Sequence, residues 1–163
     1  MTQPGFTLRE AGPDDLATVL RFVVALAEYE RLASEVRATE EDLRASLFGP
    51  APRAHALLAE LAGAPVGFAV WFYNFSTFAG RPGIYIEDVF VEPAHRGRGI
   101  GRAFFAHLAR RAVAEGCSRV EWAVLDWNQP ALRFYRGLGA RPMEEWTVQR
   151  IGGAALAALA EGS

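Results

Sequence analysis

Two segments of the chain gather residue types able to do chemistry. The first runs from Val89 to Arg102 and ends in Arg96-Gly97-Arg98-Gly99-Ile100-Gly101-Arg102. A β-rich run, a short loop and then Arg-x-x-Gly-x-Gly at the start of a helical pattern describe an anion site. Successive backbone N–H groups converge on one phosphate, glycines allow close approach, and the helix dipole favours negative charge. No Gly-Lys-Ser/Thr follows, so this is not a P-loop. Arg102 stands where the dinucleotide fingerprint needs its third glycine, and a loop separates the strand from the glycines. The plainer alternative is a glycine-rich turn with solvated arginines. Arg96, Arg98 and Arg102, so close together in a nearly neutral chain, favour a phosphate-rich ligand.

The second segment is Asp126-Trp127-Asn128-Gln129-Pro130-Ala131, followed by Phe134-Tyr135 and the glycines Gly137 and Gly139. Asn128 suits a helix cap that still offers its amide to a ligand. Tyr135, near the far end of that helix, reads either as a core ring or as a proton donor, because an ordinary phenol stays protonated at neutral pH. Between the two segments and the N-terminus lie carboxylates: Glu87 and Asp88 on a strand whose alternation sends them to opposite faces, and Glu28 and Glu30 around Tyr29. An acidic cluster suits an ammonium substrate; a solvated helix face would account for Glu28 and Glu30 equally well.

The composition narrows what these groups serve. The 163 residues carry 17 basic and 19 acidic side chains, a net charge of -2, and 163 residues is the size of one domain, spanning 1–163. There is no global basic field, so neither nucleic acid nor an anionic membrane is the expected partner. Cys117 is the single cysteine, which rules out an internal disulfide and a cysteine-based metal site, and no metal is expected. The start Met1-Thr2-Gln3-Pro4-Gly5 lacks the basic-then-apolar pattern of a signal peptide, and the apolar run around 67–75 is too short to span a bilayer; a cytoplasmic protein is expected. All 17 basic residues are arginine, so apart from the N-terminal amine the chain carries no alkylamine that could be acylated.

The elements that must position these groups follow from periodicity and punctuation. Phe6–Glu10 reads as a strand, and Gly12-Pro13-Asp14-Asp15 opens a helix with Leu16, Val19, Leu20, Val23, Leu26 and Ala27 on one side. Thr39 caps a second helix that Gly49-Pro50 stops. His55–Leu61, whose residues would also suit a helix, and Val66–Phe75 form a hairpin, and Ile84–Val91 is a further strand. A helix runs from the glycine segment to about Glu115, closed by Gly116. Arg119–Leu125 reads as a buried strand, Asn128 caps a short helix, Met143–Ile151 reads as a last strand, and Gly153–Ala160 as a terminal helix. The order β-α-α-β-β-β-α-β-α-β describes an α/β (α+β) fold: a mixed, mostly antiparallel sheet with helices on both faces.

With both segments in this order and separation, the chain resembles the GNAT superfamily of N-acetyltransferases, whose cofactor loop is Gln/Arg-x-x-Gly-x-Gly/Ala. Within it the chain is most similar to the diamine group, the spermidine/spermine and thialysine acetyltransferases. Ala27-Glu28-Tyr29-Glu30, Tyr85-x-Glu87-Asp88-x-Phe90-Val91, Trp127-Asn128-x-Pro130 and Phe134-Tyr135 carry that closer likeness. The resemblance implies acetyl-CoA as co-substrate and direct transfer to a primary amine through a tetrahedral intermediate. Only about one alkylammonium in a few thousand is neutral at pH 7, so a base is needed; the resemblance gives that role to Glu87, directly or through water. It implies that Val89, Phe90 and Val91 line the pantetheine arm, that Arg96, Gly97, Arg98, Gly99, Ile100, Gly101 and Arg102 hold the pyrophosphate, and that Asn128, Gln129, Pro130 and Ala131 touch the cofactor. Tyr135 would protonate the departing thiolate. Tyr29, Glu30, Glu87, Glu121, Trp122 and Ala123 would meet the amine; the bulk of Trp122 and the acidity of Glu121 depart from the polyamine pattern.

A homodimer is also implied, and Trp71, Phe72, Tyr73, Phe75 and Phe78 are aromatic enough to cover a partner or to fill a core. Two other readings of the same residues are an acetyltransferase acting on proteins or peptides, which would need a long open groove, and a silent acyl-CoA-binding module, which would need neither Tyr135 nor Glu87.

Overall fold

A five-stranded sheet in the spatial order β1-β2-β3-β4-β5 carries the fold. Its strands are β1 (Phe6–Glu10), β2 (His55–Leu61), β3 (Ala64–Ser76), β4 (Arg81–Val91) and β5 (Val120–Trp122). The first four pair antiparallel, and β5 joins β4 in parallel. The computed structural model describes residues 5–162, so the expectation resting on Met1 to Pro4 lies outside the described residues. The chain divides into two compact units, Met1–Trp127 and Asn128–Ser163.

In the first unit β2 settles its own ambiguity by burial. Ala56, Leu57, Leu58 and Ala59 are all buried in sequence, which alternation permits only in a strand covered on both faces. On one face, Val19 and Phe22 of α1 (Leu16–Tyr29) and Leu47 of α2 (Glu40–Phe48) pack on Ala56, Leu58, Phe68 and Phe90. Phe22 stacks on Phe68 at 5.5 Å between ring centres. On the other face lies α3 (Ile100–Ala114), whose Phe105 meets Trp122 edge-on at 4.7 Å and whose Arg111 lies over Trp71. Thr39 caps α2 as expected, accepting from the Asp42 amide while the Asp42 carboxylate accepts from the Thr39 amide.

The second unit contains α4 (Gln129–Gly137) and α5 (Gly153–Ala160). Two expectations are corrected here. Met143–Ile151 forms no strand: residues 141–150 are irregular and exposed, and none of them pairs with a strand among the described residues. Alternating Trp146 and Val148 are a strand pattern without a neighbour, and a strand exists only where another satisfies its backbone groups. Residues 119–125 yield only the three half-buried residues of β5. Its pairing stops at Ile86↔Trp122, beside the extra residue Glu87 that bulges β4.

Candidate active site

β4 sets out the site. Val70 faces Asp88 and Trp71 faces Ile86, so Glu87 is the inserted residue of a β-bulge, a device that bends a strand and re-aims its side chains. Glu87 is exposed and Asp88 half-buried. Beyond the bulge, Val89, Phe90 and Val91 pair with β3 on one side, while β5 has ended on the other. The edge of β4 facing away from β3 therefore presents backbone donors and acceptors without a ladder partner, where an extended polar chain could lie.

After β4 the chain turns through Pro93–His95 into the glycine loop. Gly97 has φ +77° and Gly99 φ +82°, both left-handed, and a Cβ built on either would meet no atom within 4 Å. The loop is open and shaped by backbone alone. Gly99 is the N-cap of α3 and supplies no capping side chain, and the first bond into the helix is Ala103 N–H to the Gly99 carbonyl at 2.9 Å. The Ile100, Gly101 and Arg102 amides thus lack an intrahelical acceptor. With exposed Arg98 and Arg102 beside them, they fit the pyrophosphate of a nucleotide thioester such as acetyl-CoA.

Arg96 is placed differently from its neighbours. Its Nε donates to the Val91 carbonyl at 2.9 Å, and its guanidinium lies 5.0 Å from the Tyr29 ring centre and 5.5 Å from that of Phe90. Tyr29 ends α1 and continues the stack to Trp127 at 6.3 Å. Arg21 of α1 pairs with Glu92 just past β4 at 2.8 Å, fixing the same helix to the same strand end.

Helix α1 thereby brings Glu30 close enough to act on Asp88. Burial pushes the Asp88 carboxyl up to about 7, with the charges of Glu87 and Glu30 adding to the effect. Burial also raises Glu30. Three carboxylates share this region, two of them reluctant to ionise without a cation, which is the electrostatic need an ammonium group meets. On β5, Glu121 pairs with Arg119 at 2.9 Å and accepts from the Asn74 side-chain amide at 3.2 Å, and Trp122 is held by Phe105; Ala123, just past the strand, is exposed.

In the second unit Asn128 is buried, and its side-chain oxygen accepts from the Ala131 amide at 3.3 Å, capping α4. Gln129 and Pro130 are exposed and Ala131 half-buried. Tyr135 is half-buried, its ring 5.7 Å from that of Phe134. The first unit thus brings together Tyr29, Glu30, Glu87, Val89 to Val91 and Arg96 to Arg102, while Asn128 to Ala131 and Tyr135 belong to α4. Sequence reasoning missed the bulge at Glu87, the stacked placement of Arg96, and Arg31, whose guanidinium covers Trp127 at 4.8 Å. A positive-φ arginine after a helix leaves no signal in residue spacing.

No helix among the described residues is long and apolar enough to cross a membrane, and no group of three or more His, Cys, Asp or Glu side chains there could hold a metal.

Comparison with known proteins agrees with this geometry. Residues 23–140 match the model of the acetyltransferase (GNAT) family. A thialysine N-epsilon-acetyltransferase of Bos taurus is 41% identical over 164 residues, covering 94% of this chain and 96% of the relative. An L-ornithine N5-acetyltransferase of Arabidopsis thaliana is 28% identical, covering 93% of this chain and 86% of the relative. An integron cassette protein from the mobile metagenome of V. cholerae superimposes with a TM-score of 0.80 at 27% identity, covering 96% and 98% of the two chains. A phosphate-shaped loop at the head of α3, a bulged and half-open β4, and this breadth of likeness lead to one conclusion: the chain belongs to the GNAT acetyltransferase family and is an acetyl-CoA-dependent N-acetyltransferase acting on amines.

Proposed function

We propose that the acceptor is the primary amine of a small di- or polyamine or thialysine-like amino acid, and that the acetyl group passes to it directly. The observation that carries this reading is the meeting of Glu30, Glu87 and Asp88 beside the open edge of β4. Relatives named for thialysine and ornithine, both amino acids with a terminal amine, support it.

Acetyl-CoA supplies the activated acetyl group. Gly97 to Arg102 hold its pyrophosphate, the backbone of Val89 to Val91 holds its arm and polarises the thioester, and Asn128 to Ala131 complete its contacts. Backbone donors aimed at a developing oxyanion are each worth about 2.7–4 kcal/mol. Glu87, exposed on the bulge, takes the proton from the ammonium directly or through a water, freeing the nitrogen lone pair to attack the carbonyl carbon. As the carbon–sulfur bond breaks, Tyr135 delivers a proton to the thiolate, and the proton that the acylated nitrogen then sheds restores the phenol through solvent. Tyr29 and Glu30 border the acceptor, with Glu121, Trp122 and Ala123 at its β5 side. The matched family region crosses the boundary between the two units, which supports their serving one acetyltransferase domain; in this reading it works in the cytoplasm.

The test is thiol release from acetyl-CoA across a panel of thialysine, ornithine, lysine, spermidine, spermine and a simple diamine. Turnover on one or more of these is expected. Tight acetyl-CoA binding with no release on any amine would assign a silent acyl-CoA-binding module, and turnover confined to peptides would assign a protein acetyltransferase.

The chain also acts as a homodimer in this reading. Trp71 belongs to the core, but Phe75 and Phe78, by the β3–β4 turn, are 63% and 100% exposed, an apolar surface suited to a second copy. Sedimentation should give twice the monomer mass; a clean monomer at micromolar concentration would remove the dimer.

A further inference from the structure

Helix α1 ends in a Schellman motif: the Arg31 amide donates to the Glu28 carbonyl at 3.1 Å and the Leu32 amide to that of Ala27 at 2.8 Å. The residue after the cap in this motif is left-handed and usually glycine. Here it is Arg31, with φ +62°. A side chain in that conformation costs about 1–2 kcal/mol relative to ordinary helical backbone. The helix end has no need of an arginine, so the explanation lies with the side chain.

That side chain is exposed, stacked 4.8 Å over Trp127, and forms no ion pair with a carboxylate among the described residues. Stacking on a ring face orients a guanidinium and leaves its edge donors free, the arrangement that grips a carboxylate through two parallel bonds. Phe90, Arg96, Tyr29, Trp127 and Arg31 form one continuous strip of ring and guanidinium contacts. One end of the strip is the phosphate loop. Along it lies Glu30, whose charge acts on Asp88, and at the other end is Arg31. The region therefore carries both signs of charge: carboxylates and Arg96 near β4 and, at the far end, Arg31, oriented by Trp127 and without an ion pair among the described residues.

We propose that Arg31 reads the α-carboxylate of the acceptor, so that the enzyme selects amino acids bearing a terminal amine over polyamines. The inference rests on the small-amine reading above and narrows it. An amino acid such as thialysine or ornithine places its reactive amine among the acids and its carboxylate on Arg31. A diamine or polyamine offers only ammonium groups, and its second cation meets Arg31 as a like charge.

The experiment compares thialysine with its decarboxylated counterpart, a diamine of the same chain, at saturating acetyl-CoA. The wild-type protein should show the higher kcat/KM for thialysine. In Arg31→Gly the ratio of the two kcat/KM values should fall roughly ten- to hundredfold, the loss of a charged hydrogen-bonded pair, and appear in the KM for thialysine rather than in kcat. Glycine suits the backbone at this position, so the thermal midpoint should hold or rise and misfolding does not cloud the result. Arg31→Lys, which keeps the charge but loses the fork, should fall between. An unchanged ratio in Arg31→Gly, or equal losses on both amines, would overturn the role of Arg31 and leave the acetyltransferase reading standing. Transfer by the wild-type protein to neither amine, with transfer only to peptides or none at all, would remove both.

Discussion

The Arg96 guanidinium sits 5.0 Å from the centre of the Tyr29 ring while its Nε donates to the Val91 carbonyl at 2.9 Å. One side chain thus links the phosphate loop, the end of β4 and the C-terminal end of α1. A residue whose motif position implies a cofactor ligand thus also straps the glycine loop to the end of α1. Arg96→Ala should weaken acetyl-CoA binding and raise the amine KM together, each by about tenfold, since it removes a charged hydrogen bond and a cation–π contact. Calorimetric titration with acetyl-CoA and steady-state kinetics with the amine measure the two effects; a change in only one of them would contradict the strap.

Arg98, by contrast, is exposed and tied to neither β4 nor α1. Arg98→Ala should weaken acetyl-CoA binding alone, more at low than at high ionic strength, and leave the saturated rate nearly intact. Titration at two salt concentrations checks this. Gly99→Ala should weaken binding too, for a backbone reason: at φ +82° an alanine carries left-handed strain at the cap of α3.

Asp88 makes the site pH-dependent. Its carboxyl, raised to about 7 chiefly by burial, keeps its proton in the folded protein over a range in which the unfolded chain has lost it. Between about pH 4 and 7 the folded state therefore binds the extra proton, so stability declines as pH rises through that window and levels off above it. Asp88→Asn should flatten this decline, and thermal midpoints across the window will show it. Amine binding should strengthen as pH rises through about 7, where Asp88 gains its charge, and Asp88→Asn should remove that dependence.

Much of this frame was legible in the chain. The bounds of β1, β2 and α5 follow from apolar patterning and from Gly, Pro and Asp punctuation, and Arg96 to Gly101 reads as a candidate anion site through its glycines and arginines together. What was not legible depends on partners distant in sequence. Val120 to Trp122 pair with β4 only up to the bulge, so the residues after Trp122 lose the strand their composition predicts. Met143–Ile151 has a strand's alternation and no strand beside it. Arg31 and Arg96 gain their placement from Trp127, Tyr29 and Phe90, contacts that only the fold assembles.

Tyr135 is the proposed proton donor, and Tyr135→Phe isolates that role because the ring and its packing on Phe134 are kept. Turnover should fall by about 10²–10⁴-fold with the amine KM and thermal midpoint nearly unchanged. A core tyrosine would instead keep its rate, or lose it only together with stability.

The mechanism proposed for this enzyme is direct transfer from acetyl-CoA to a small amine bound beside Glu87. It is tested most directly by incubating the protein with isotopically labelled acetyl-CoA, first alone and then with thialysine, and weighing protein and amine by mass spectrometry. The protein should stay unmodified in the first step, because no acetyl group passes to Cys117 or any other side chain. In the second, thialysine should become heavier by one labelled acetyl on its terminal nitrogen. A labelled protein that then hands its acetyl group to the amine, or an amine left unlabelled by a protein that binds acetyl-CoA, would contradict it.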